Sequence, residues 1–175
     1  MRDIAIRRVE QGDLPALLDI YNHYVLNTAI TFDIEPRTLE QRQMWIGTFQ
    51  LAGNAQCFVA VQGGTLIGWA CSGKYREKAA YDTTVETSLY LSPDAGGRGI
   101  GTRLYRTLFD ALKREDIHRF YAGVTLPNDA SVALHRAFGF VQIGLQHEVG
   151  RKFGKYWDVA VFMRDAEAGG GFTPL

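Results

Sequence analysis

Net charge is the first thing this 175-residue chain lacks: nineteen lysines and arginines are balanced by nineteen aspartates and glutamates. Without a summed field there is no electrostatic pull toward nucleic acid or a membrane surface, so any cationic site must be local. Long apolar runs are missing too. Nothing approaches the ~18 consecutive apolar residues of a membrane span, and Met1 to Arg8 offers no apolar stretch long enough for a secretory signal. A cytoplasmic protein without nucleic-acid or membrane partners is expected. Cysteine is scarce, and Cys57 and Cys71 lack metal or redox spacing. With Gly63-Gly64 as a two-residue hairpin loop, Cys57 falls opposite Ala70 and Cys71 points to the other face, which predicts two buried thiols and no disulfide. His23, His118 and His147 have no ligand spacing with one another, so no metal site is expected.

What is present is an ordinary globular composition, 46% hydrophobic and 22% charged, with no internal repeat. One domain over residues 1–166 is expected, followed by a flexible tail, 167–175, that carries Gly169 to Gly171. Ile4 to Val9 reads as a strand. Asp13 then caps a helix whose apolar positions Leu14, Leu17, Leu18, Tyr21 and Val25 keep helical spacing, with Pro15 tolerated in the first turn. Pro36 breaks the chain before a second helix from about Thr38 to Phe49 or beyond. Between them Ala29 to Asp33 is an apolar loop and a candidate pocket wall. Cys57 to Val61 and Leu66 to Cys71 form a hairpin, and Val85, Thr87, Leu89 and Leu91 alternate with Glu86, Ser88 and Tyr90 as a further strand. Ile100, Leu104, Leu108, Ala111 and Leu112 make the core stripe of a helix. Phe120 to Val124 follows as a strand, then a short helix capped by Asn128 or Asp129 and ending at Gly139, then strands near 141–149 and 156–163. The order specifies an α/β (α+β) fold: a mixed sheet of six or seven strands flanked by about four helices, antiparallel in the middle and parallel around residue 99.

The stretch Leu89-Tyr90-Leu91-Ser92-Pro93-Asp94-Ala95-Gly96-Gly97-Arg98-Gly99-Ile100-Gly101 leads from a strand through a glycine-dense turn into a helix. That order builds an anion cradle, because backbone N–H groups converge on a phosphate at the positive end of a helix dipole. Gly101 is not followed by the lysine of a Walker loop, and Thr102 stands where a dinucleotide fingerprint needs its third glycine. Nucleoside triphosphate hydrolysis and Rossmann-type binding are both excluded on that ground.

The turn resembles the x-x-G-x-G/A signature of the GNAT acyltransferases, with Gly99-Ile100-Gly101 as the G-x-G. Two further segments are similar to the phosphinothricin acetyltransferase branch: Leu126 to Phe140, and Ala80 to Glu86, which carries the branch's active-site glutamate. Ile20 to Tyr24, Thr31 to Pro36 and Lys152 to Asp158 look alike as well, so the resemblance spans roughly residues 4–164. It implies the GNAT fold and acetyl-CoA as cosubstrate. The pantetheine arm would run along Leu89, Tyr90 and Leu91, and the pyrophosphate would rest on Gly96, Gly97, Arg98, Gly99, Ile100, Gly101 and Thr102. Asn128 and Ser131 would add contacts, although both also suit a helix cap. One position departs from the pattern: Gly96 stands where the family usually has Gln or Arg. Arg98, and Arg103 near it, would supply the positive charge.

Acetyl transfer to an amine needs a base for the ammonium and a proton for the leaving thiolate. The resemblance implies Glu86 as base and His135 as proton donor. The alternatives are a solvent-facing strand glutamate and a packing or capping histidine. Phe32 and Arg76 are implied in binding the substrate, Arg76 through a carboxylate; Phe32 could instead plug the core, and Arg76 could be merely solvated. A second arginine of the methionine sulfone and sulfoximine subgroup corresponds to Asp82. The implied function is acetyl transfer to the α-amine of a small amino-acid-like molecule by a homodimer. Rival readings are acetylation of a peptide or protein N-terminus and a non-catalytic acetyl-CoA-binding module.

Overall fold

The computed structural model describes residues 3–166, so the tail expected at 167–175 lies outside the described residues. Seven strands, β1 (Ile4–Arg8), β2 (Cys57–Gln62), β3 (Thr65–Lys74), β4 (Thr84–Leu91), β5 (Arg119–Thr125), β6 (Val141–Lys152) and β7 (Lys155–Asp165), form one sheet. The order across it is β1-β2-β3-β4-β5-β7-β6. Four helices pack against it: α1 (Leu14–Asn27), α2 (Leu39–Ile46), α3 (Ile100–Leu112) and α4 (Asp129–Ala137). This is the mixed α/β architecture that the element order specifies.

Alternation along the strands divides the core in two. On one face Phe58, Ala70, Val85, Phe120, Ala122, Ala160 and Phe162 meet the α3 stripe of Ile100, Leu104, Leu108 and Leu112. On the other, Cys57, Val59, Trp69 and Cys71 lie under α1 and α2 through Leu14, Leu17, Ile20 and Ile46. All neighbouring strands run antiparallel except β4 and β5. Those two are parallel and pair only at Thr84–Glu86 with Arg119–Tyr121. Beyond Glu86 they separate, and the gap positions the functional site.

Three local expectations are corrected. The β2–β3 register shifts by one between Ala60 and Val61, so Cys57 lies opposite Cys71 rather than Ala70. The extra residue is Ile67, which a two-residue hairpin loop alone does not reveal. Both cysteines are nonetheless free and buried. Asp13 occupies the N-cap position of α1 without capping it. Its carboxylate takes two 2.7 Å bonds from Arg7 and one of 2.8 Å from the Glu10 N–H. The second helix ends at Ile46, short of Phe49, after opening with the capping box of Thr38 and Gln41.

Candidate active site

Where β4 and β5 part, a cleft of about 620 Å³ opens between β4, α3 and α4. Its volume suits a small organic ligand. Leu89, Tyr90 and Leu91 line it, as do Gly96, Gly97, Gly99 to Thr102, Asn128 and Ser131. Every cofactor residue expected from the sequence therefore borders one cavity, except Arg98. Past Glu86 the β4 edge that faces β5 has no ladder partner among the described residues, so backbone groups there can receive an extended chain.

The turn is shaped as an anion cradle. Gly97 and Gly99 hold φ of 70° and 71°, left-handed values that cost other residues energy, and Gly99 is the N-cap of α3. Side chains at the helix start contribute little. Arg98 turns away to Gln62 Oε1 at 2.7 Å, and Arg103 donates to the Ile4 carbonyl at 2.6 Å. The positive potential comes from backbone N–H groups and the dipole of α3. At α4, Asn128 Oδ1 accepts the Ser131 N–H at 3.1 Å, so Asn128 serves as cap while lining the cleft.

Glu86 stands at the cleft mouth, between the lining residues Thr87 and Gly123 rather than inside the lining itself. It is the last β4 residue paired with β5, opposite Tyr121. A Cβ at Gly123 would lie 4.0 Å from Glu86 Oε1, so the glycine leaves the carboxylate uncovered. The residue is exposed, yet nearby protein raises its carboxyl pKa by desolvation, and no charge partner offsets that effect. A carboxylate so placed is a better proton acceptor than an ordinary surface glutamate. Beside it Tyr75 stacks on Tyr121 with centroids 4.5 Å apart, and Tyr81 meets Tyr75 edge-on at 5.8 Å. Arg76 is exposed at this rim and lies over the Tyr75 and Tyr81 rings at 5.0 and 5.5 Å. Phe32 lies outside the cleft lining, packed against Gly150 so closely that a Cβ there would overlap its ring. Its neighbour Ile30 does line the cleft.

His135 lies at the inner end, buried, its ring stacked on Phe162 at 5.7 Å. Nδ1 is 2.7 Å from the Ser131 carbonyl oxygen, which can only accept, so the proton is on Nδ1. Nε2 therefore accepts from the Tyr105 hydroxyl at 3.0 Å. Burial lowers the His135 pKa and keeps the ring neutral. Both ring nitrogens are thus engaged, in a pair that lines the cleft.

Sequence reasoning missed Tyr105, Tyr121, Tyr75, Tyr81 and Gly123. Tyr105 sits within the apolar stripe of α3, where an aromatic reads as core. Tyr121 alternates with core residues on β5, and only its partner across the sheet gives it meaning.

The acetyltransferase (GNAT) family profile matches residues 17–140. This chain belongs to the GNAT acetyltransferase family. A phosphinothricin N-acetyltransferase of Streptomyces coelicolor is 50% identical over 164 residues, 93% of this chain and 96% of that one. An L-methionine sulfoximine/L-methionine sulfone acetyltransferase of Pseudomonas aeruginosa is 34% identical over 155 residues, 89% and 90% of the two chains. Among solved structures, a GNAT superfamily phosphinothricin acetyltransferase from Sinorhizobium meliloti in complex with acetyl-CoA superposes with a TM-score of 0.87 at 32% identity. The match covers 93% of this chain and 88% of that one.

For a GNAT enzyme the cleft fits acetyl-CoA on its own geometry. The glycine cradle at α3 would hold the pyrophosphate, the open β4 edge the amide-bearing arm, and Asn128 the same arm from α4. The cosubstrate, when bound, supplies the acetyl group as a thioester. Among the described residues no cluster of three His, Cys, Asp or Glu side chains could hold a metal ion, and no helix is long and apolar enough to cross a membrane.

Proposed function

We propose that this GNAT enzyme transfers acetyl from acetyl-CoA to the α-amine of a small amino-acid-like acceptor of the phosphinothricin, methionine sulfoximine or methionine sulfone kind. The observation that carries it is Glu86, uncovered above Gly123 at the mouth of the cleft, with a carboxyl pKa raised by its surroundings. Glu86 accepts a proton from the acceptor ammonium, and the freed nitrogen attacks the thioester carbonyl carbon. The C–N bond forms as the C–S bond breaks, the proton that the new amide nitrogen sheds is taken up by the departing CoA thiolate, and no enzyme-bound acyl group is formed. The Tyr75–Tyr121 stack walls the acceptor side, and Arg76 at the rim is within reach of an acceptor carboxylate. His135 serves as a neutral acceptor that fixes the Tyr105 hydroxyl at the cleft wall, its proton directed to Nε2. Donation by His135 to the leaving thiolate would need a charged ring, which its burial opposes.

The enzyme works as a homodimer in the cytoplasm. In support of the dimer, edge strand β6 exposes Val141, Ile143 and Leu145, and an apolar edge of this kind invites a partner.

The test is thiol release from acetyl-CoA over a panel of phosphinothricin, methionine sulfoximine, methionine sulfone, ordinary amino acids and short peptides. Release with the first group and not with peptides is expected. Glu86→Gln should cut turnover by about 10²–10⁴-fold, the usual worth of a general base, while leaving CoA binding intact. Near-normal turnover would remove Glu86 from the mechanism.

A further inference from the structure

A second, smaller cavity of about 290 Å³ lies apart from the cleft, between α1, α2 and the loop that joins them. Tyr21, Asp33, Arg37, Gln41, Arg42 and Trp45 line it. Arg42 is its unusual member. Only 6% of the residue is exposed, and Nε and Nη2 are buried without a hydrogen-bond partner among the described residues. The guanidinium lies 3.8 Å from the Tyr21 ring centroid and 4.3 Å from that of Trp45. Aromatic faces attract a cation but do not satisfy its N–H donors, which lie in the guanidinium plane.

Nor does a carboxylate neutralise it. Asp33, the acid that shares the cavity, is gripped by Arg37 Nε and Nη2 at 2.7 and 2.6 Å and accepts the Tyr21 hydroxyl at 2.7 Å. Asp33 also attracts Arg42 at longer range, but its hydrogen bonds go to Arg37 and Tyr21, and the charges that line the cavity sum to one positive. A buried, unpaired charge is expensive, and burial correspondingly lowers the Arg42 pKa. One negative charge on a small planar group restores balance, whereas a dianion overshoots it. From the cavity a carboxylate would meet the guanidinium at Nη1, the nitrogen that is not shut in, through a charge-assisted hydrogen bond. The rings of Tyr21 and Trp45 offer the rest of such a molecule an apolar wall.

We propose that this cavity binds a small carboxylate monoanion against Arg42. The site is separate from acetyl transfer and stands or falls independently of it. It adjoins the 28–37 loop through Asp33, and that loop also carries Ile30 of the cleft wall, so occupancy would brace one side of the cleft.

Sodium acetate is the probe, titrated into the full chain at ionic strength held constant with sodium sulfate. The readout is the Arg42 Nε–Hε resonance, assigned by its loss in Arg42→Met. A saturable shift is expected in the wild type. Gln41→Glu keeps the capping box, because a glutamate at that position also accepts the Thr38 N–H that Gln41 Oε1 now takes at 3.0 Å. It also sets a competing negative charge at the cavity rim, and should weaken acetate about tenfold, equivalent to 1.4 kcal/mol. A linear, unsaturating drift, or an equal response in Gln41→Glu, overturns the proposal.

Discussion

Replacing Gly96 by arginine should improve this enzyme, and the structure says by how much. Gly96 has φ −65° and ψ 160°, values that any residue adopts, and a Cβ there would meet no atom within 4 Å. Adding a side chain therefore strains nothing in the fold. Loss of glycine freedom from the unfolded chain should instead raise stability by about 0.4–1 kcal/mol. The new guanidinium would stand at the rim of the cradle formed by Gly97, Gly99 and the first turn of α3. A buried charge-assisted hydrogen bond to phosphate would contribute about 1.5–3 kcal/mol. This position is exposed, so screening reduces the gain to about 0.5–1 kcal/mol, or roughly two- to fivefold in the Kd for acetyl-CoA. Titration calorimetry on wild type, Gly96→Ala and Gly96→Arg, at low and high salt, separates backbone from side chain. Gly96→Ala should match wild-type affinity, and the gain in Gly96→Arg should shrink as salt screens it. Unchanged or weaker binding in Gly96→Arg at low salt would refute a pyrophosphate seat on this turn.

Other consequences are as direct. Gly150→Ala should evict the Phe32 ring, since the new Cβ would overlap its Cε2 and lie 2.5 Å from Cδ2 and Cζ. The loop itself stays tied by Lys152 Nζ to the Thr31 carbonyl at 2.8 Å, so the loss is that of a half-buried aromatic, about 1–1.5 kcal/mol by denaturant titration. Stability unchanged within 0.3 kcal/mol would mean that the ring moves aside at no cost. Long-range ¹H–¹⁵N spectra should find His135 protonated on Nδ1 at neutral pH; an Nε2–H tautomer would reverse the hydrogen bond to Tyr105 and refute the assignment. Because the His135 pKa is lowered in the fold, the unfolded chain takes up its proton first on acidification. Stability should therefore fall as pH drops below about 6.5, and His135→Gln should flatten that slope.

Much of this was legible beforehand because the deciding signals are local. The stripe from Ile100 to Leu112 specifies α3 without help from the rest of the chain, and the glycines at 97 and 99 specify the turn before it. Glu86 stood out as a carboxylate on an otherwise apolar and β-branched strand. What stayed hidden depends on partners distant in sequence. The bulge at Ile67 is set by how β3 meets β2, and it alone brings Cys57 to Cys71. Asp13 satisfies every local rule for a cap, yet Arg7 on β1 offers it two hydrogen bonds and wins. Tyr105 reads as core until His135, thirty residues away, is seen to accept its hydroxyl. Arg42 looks like any helical surface arginine until the aromatic rings of α1, α2 and β3 close around it.

A flat ribbon of strands has two borders, at its first and last members, and proteins guard them against stray pairing. The sheet here carries a third opening in its middle, because β4 and β5 share a ladder over only three residue pairs. Across that seam the β1–β4 half and the β5–β7 half are joined by the short ladder itself and by α3, which packs mainly on β1 to β4 and reaches β5 through Phe109 on Phe120. A ligand that fills the seam completes the ribbon. It does so by supplying the missing strand, so binding should knit the two halves into one cooperative unit and slow amide exchange along Leu89 to Leu91.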